Sequence, residues 1–133
     1  MPIVTYWKTD TFVYEGSGIV TGEEILRSGE AFLEPPEGVI PKCQVVNALK
    51  VKDVHLNELD LVNISADDLA ASRKFPDLKV ALVAKEGPVM ESFIKYLKVS
   101  WAINTTWDIR IFNSMDAARD WLNCVGSTVV SSN

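Results

Sequence analysis

The chain reads as an α/β domain: a single mixed, mostly parallel sheet with an N-terminal hairpin and about four packed helices. Three observations predict this. From Lys79 to Leu122 strand-like and helix-like segments alternate, the order that builds a parallel sheet with crossover helices. Within that stretch Val80-Ala81-Leu82-Val83-Ala84 is an unrelieved apolar run, as expected of a central strand covered on both faces. At the other end, two segments rich in β-branched and aromatic residues flank the short polar break Lys8-Thr9-Asp10, which suggests a hairpin.

The elements follow in order. The hairpin strands are Ile3 to Trp7 and Thr11 to Gly18, and Gly16-Ser17-Gly18 reads as a turn that relaxes the chain before a helix. Thr21-Gly22-Glu23-Glu24 is a capping box, and Ile25, Leu26, Phe32 and Leu33 follow at helical spacing. Gly29 weakens that helix by about 1 kcal/mol relative to Ala, and Pro35-Pro36-Glu37-Gly38 ends it. Cys43 to Leu49 reads as a buried strand. Residues 50 to 63 carry a loose alternation that fits an extra strand, a loop or a helical turn equally well. Ser65-Ala66-Asp67-Asp68 reads as a second capping signature, opening a helix that Pro76-Asp77 stops after Phe75. After the Val80 strand, Gly87-Pro88 starts a helix with Val89, Met90, Phe93, Ile94, Leu97 and Trp101 on one stripe. Trp107 to Phe112 is the last strand, and Asn113-Ser114 caps a final helix that turns Met115, Ala118, Trp121 and Leu122 inward.

Size and charge narrow the function classes. A chain of 133 residues is one domain's worth; residues 1–124 are read as that domain and 125–133 as a flexible tail. Apolar residues at 47% and charged residues at 23% describe a globular protein rather than a disordered one. A net charge of -5 with scattered Lys and Arg argues against nucleic acid and against an anionic membrane surface. No run is long enough for a transmembrane segment, and the N-terminus lacks the pattern of a signal peptide. Cys43 and Cys124 form no Cys-x-x-Cys motif and are expected to be free thiols, which points to a cytoplasmic protein.

The element order, together with Lys79-Val80-Ala81-Leu82-Val83-Ala84, Ile111-Phe112 and the closing Ala117-Ala118-Arg119-Asp120-Trp121-Leu122, resembles the SpoIIAA-like family. These are small bacterial proteins related to STAS and Sec14-type (CRAL-TRIO) domains. The resemblance implies two activities. Anti-sigma factor antagonists of the STAS type bind a partner kinase and are switched by phosphorylation of a serine at a helix start, usually in an Asp-Ser motif. Here the matching serine is Ser65, preceded by Asn63-Ile64, and it is a candidate phosphoacceptor or helix cap. Sec14-like relatives instead enclose an apolar ligand between helices and sheet.

The residues themselves offer little chemistry. His55 is the only histidine, so no histidine metal cluster or dyad can form. The acidic pairs Glu23-Glu24 and Asp67-Asp68 read as solvated first-turn acids rather than a metal site. No enzyme activity and no cofactor are expected. The broad apolar face of the Val89–Trp101 helix, widened by Tyr96 and Val99, is the one feature with several readings: core, a dimer or partner surface, or a ligand pocket. Its candidate residues are Met90, Phe93, Ile94, Leu97 and Trp101. The leading expectation is a non-enzymatic regulatory or protein-binding domain resembling anti-sigma factor antagonists. The alternative is Sec14-like binding of a small apolar or lipid ligand.

Overall fold

A computed structural model describes residues 2–103 and 106–124. Its sheet holds β1 (Ile3–Lys8), β2 (Thr11–Thr21), β3 (Cys43–His55), β4 (Lys79–Val83) and β5 (Asp108–Phe112), side by side in that order. The hairpin pair β1–β2 is antiparallel, and β2–β3, β3–β4 and β4–β5 are all parallel. This is the mixed, mostly parallel sheet expected. The helices are α1 (Gly22–Ser28), followed directly by a 3-10 helix Gly29–Leu33, then α2 (Glu58–Lys74), α3 (Pro88–Ala102) and α4 (Met115–Leu122).

Strand order decides where the helices go. Strands β2 to β5 are neighbours in space in the order of the chain, so right-handed crossovers carry α1, α2 and α3 onto the same face. Phe12, Val80, Leu82 and Ile109 form that face, with Phe93 and Tyr96 of α3 packed against them. On the opposite face Val45, Ala81 and Val83 meet Ala118 and Leu122 of α4. Phe32 anchors the 3-10 helix: its ring lies 5.5 Å from Phe12, 5.4 Å from Phe75 and 5.8 Å from Trp107. The indole N–H of Trp107 donates to the Phe75 carbonyl at 2.8 Å, so the buried ring leaves no polar atom stranded.

Local signals hold at both ends of the chain. Thr21 Oγ1 accepts from the Glu24 amide at 3.3 Å while Glu24 Oε1 accepts from the Thr21 amide at 2.9 Å, closing the expected capping box. Ser114 Oγ accepts from the Ala117 amide and caps α4.

Three expectations are corrected and one open reading is decided. Gly16-Ser17-Gly18 is not a turn but part of β2, at a point where the register with β3 slips, with Gly18 at φ 67. Residues 50 to 55 prolong β3, because the second half of β2 pairs with them up to Thr21↔His55. The second helix starts at Glu58, not at Ser65. Its cap is Asn57, whose Oδ1 accepts from the Asp60 amide at 2.8 Å while Asp60 returns a bond to the Asn57 amide. Cys43 and Cys124 are joined in a disulfide rather than free, with Cα atoms 6.5 Å apart, inside the usual span. Asn123, in the left-handed region at φ 50, closes α4 just before Cys124 meets the start of β3. The disulfide also removes the cysteine argument for a reducing compartment. The expected tail, 125–133, lies outside the described residues.

Candidate functional site

Three helices laid on one sheet face leave a space between them. The cavity has a volume of about 270 Å3 and is half open to solvent. Its floor is β2, β3 and β4, with Val46 and Leu82 prominent; its roof is α1, the 3-10 helix, α2 and α3. The volume lies just under the ~300–1,000 Å3 of pockets for drug-sized ligands. The lining is predominantly apolar, with a small set of polar groups that converge on it.

The inner face of α2 supplies one of them. Counting from the Asn57 cap, Leu61, Ser65, Asp68 and Ser72 recur at intervals of four, three and four, so they share a stripe turned toward the protein. Leu61, Ser65 and Ser72 are buried, and Asp68 is half-buried with its side chain on the cavity. The Tyr96 hydroxyl of α3 donates to Asp68 Oδ2. Tyr14 of β2 also lines the cavity, and its hydroxyl sits beside Gly29, where a Cβ would come within 3.3 Å.

Burial and charge perturb this trio strongly. Loss of solvation raises Asp68 from the ordinary 3.8 to about 7; the Tyr96 hydrogen bond lowers it and the neighbouring Asp67 raises it further. Tyr96 is held well above 10.0, first by burial and then by the charge of Asp68. Tyr14 is raised for the same two reasons. Both hydroxyls therefore remain protonated donors. Gln44 is a further polar group: it is 5% exposed and lines the cavity.

The positions of the expected site residues can now be stated. Ser65 is fully buried in the second turn of α2, its hydroxyl without a partner, and it caps nothing. A phosphoryl group there would meet neither free N-terminal amides nor solvent. Of the α3 candidates, Phe93 lines the cavity. Met90 packs near Ala48 and Ala84, and Leu97 packs on the core below α3. Ile94 (42% exposed) and Trp101 (65% exposed) face outward. The structure thus does not gather the five into one site. Asp67-Asp68 is corrected too: Asp67 is exposed, Asp68 is half-buried, and neither lies in the first turn of α2.

Asp68, Tyr14 and Gln44 were missed by sequence reasoning. The usable signal was Asn57-Glu58-Leu59-Asp60, a capping box built from Asn and Asp rather than Ser and Glu. Starting the helix there turns Asp68 inward by period alone. His55 is exposed and pairs with Asp53 at 3.3 Å. Among the described residues no three His, Cys, Asp or Glu side chains are grouped to hold a metal ion, and no helix is long and apolar enough to cross a membrane.

No protein-family model matches the chain, and no curated protein is significantly similar to it. Among solved structures, it is similar to that of an uncharacterized protein of the DUF3478 family with a SpoIIAA-like fold from Shewanella loihica PV-4. The two are 20% identical, with a TM-score of 0.45, over 90% of this chain and 91% of that one.

Proposed function

We propose that this domain binds a small, largely apolar molecule between its sheet and helices α1 to α3, without transforming it. The observation that carries this reading is the cavity itself, about 270 Å3 with an apolar lining and a few inward polar groups. A space of that size takes on the order of nine non-hydrogen atoms at the ~30 Å3 that each water occupies in the liquid. The polar groups on the lining include Tyr14, Tyr96, Asp68, Gln44 and Asn47, with Glu30 and Asp67 at the exposed edge. They can orient a ligand but offer no activated nucleophile with its base, so binding rather than catalysis is the reading.

The test is native mass spectrometry of the chain purified from its own host, joined to an NMR titration with 1-octanol. A co-purifying small mass, and shifts confined to Phe93, Val46 and Leu82, are expected. The variant Val46→Phe, which fills the space, should lose both. A chain that stays empty and whose spectrum is unmoved by the alcohol overturns the reading.

A second reading, regulation through a protein partner, rests on Ile94 and Trp101. They stand two helical turns apart on the outer side of α3, both exposed. If they are a contact surface, Ile94→Lys with Trp101→Ala abolishes association with the partner and leaves 1-octanol binding unchanged. Loss of octanol binding with association intact would reverse the assignment.

A further inference from the structure

An ionisable group held in a poorly solvated place with no counter-charge weakens the fold, and such a group is a mark of a binding or catalytic site. Asp68 is that group. Its carboxylate accepts the Tyr96 hydroxyl, and among the described residues no Lys, Arg or His lines the cavity that it faces. Every charged side chain on the lining is acidic: Glu30 and Asp67, both exposed at the rim, and Asp68 further in. Aromatic rings of Phe32, Phe93, Tyr14 and Tyr96 share the wall, and π-faces attract cations. Gln44 adds a buried side-chain amide to the lining. Among the described residues the site has no positive charge and holds a negative one. An anionic ligand such as a fatty acid would be repelled, and a neutral one would leave the carboxylate uncompensated.

Resting on the proposed binding function, we infer that the ligand is a small amphiphilic amine, its ammonium group seated on Asp68 and its apolar body over Val46, Leu82 and Phe93. An alkyl ammonium group, like the side chain of lysine with its pKa of about 10.4, stays charged at neutral pH and brings the missing cation. Its N–H groups donate to the carboxylate, a charge-assisted bond in a site that water reaches only from one side. Tyr96 does not compete for the ligand, because a hydroxyl on one oxygen leaves lone pairs on the other.

Three probes of one chain length separate the alternatives: 1-octylamine, 1-octanol and octanoate, titrated at pH 8 into the 15N-labelled protein. The amine should bind at least tenfold more tightly than the alcohol, with octanoate weakest. In Asp68→Asn the amine and the alcohol should bind alike. Tyr96→Phe, which leaves the carboxylate in place, should keep the preference for the amine. If the alcohol equals the amine in the wild type, or if Asp68→Asn still prefers the amine, the ammonium seat is wrong while the cavity reading survives. If Tyr96→Phe loses the preference although Asp68 is intact, the seat is equally wrong. If none of the three shifts the residues of the cavity, the binding function fails and this inference with it.

Discussion

Replacing Asp68 by Asn removes a charge, keeps the shape of the side chain, and leaves an oxygen for the Tyr96 hydroxyl. The effect on stability follows from the raised carboxyl. It titrates at about 7 in the fold against 3.8 in an ordinary setting, so between these values the folded chain holds a proton that the unfolded chain has released. The contribution of Asp68 to stability is therefore most favourable below about pH 4, falls as the pH rises to 7, and is level above it. Roughly three pH units at about 1.36 kcal/mol each set an upper bound of about 4 kcal/mol. The hydrogen bond from Tyr96 is already contained in that figure. Water in the half-open cavity screens the charge, so Asp68→Asn should gain about 1–3 kcal/mol at pH 8 and nothing near pH 4. Urea unfolding of both proteins in steps from pH 4 to 8.5 measures it, and the difference between the two curves cancels the other carboxylates. A variant less stable than wild type at pH 8, or a difference that does not vary with pH, would refute the reasoning.

Three further outcomes are expected. Asn57→Ala should cost about 1 kcal/mol through loss of the α2 cap, whereas Ser65→Ala, which deletes a buried hydroxyl with no partner, should be neutral or stabilise by up to about 1 kcal/mol. Chemical denaturation that ranks them the other way would put the helix start back at Ser65. Reducing the Cys43–Cys124 bridge, which closes a separation of 81 residues, should lower stability by about 2–4 kcal/mol; equal urea midpoints with and without dithiothreitol would contradict this. Trp107→Phe removes the part-buried donor to the Phe75 carbonyl and should cost about 1–3 kcal/mol. Trp101→Phe on the outer side of α3 should stay within about 0.5 kcal/mol, and thermal melts showing equal losses would mean that the two indoles are not so differently placed.

Much of the fold was legible because its signals are local. A capping box needs four residues, and Thr21 to Glu24 carry one that forms as read. The run Val80 to Ala84 is apolar because β4 has a strand on each side and helices on each face. Ser114 and the stripe Met115, Ala118, Leu122 place α4 for the same kind of reason. Where reading failed, distant partners decided. Residues 50 to 55 are strand only because β2 runs beside them. Helix α2 hides its period, since its inner stripe is mostly small or polar (Ser65, Asp68, Ala71, Ser72) while Leu59 and Val62 face water.

The sequence by itself determined the class of sheet, the hairpin, the caps of α1 and α4, and the absence of the residues from which a histidine site could be made. These follow from propensity, period and composition, which act within a few residues of each position. Only the tertiary structure decided that three helices share one face, that a space remains beneath them, and that Asp68 looks into it beside Tyr96 and Tyr14. Those facts depend on strand order and on groups 28 and more residues apart. A carboxyl becomes a site when packing strips away its water and provides no cation, and no stretch of sequence read alone contains that circumstance.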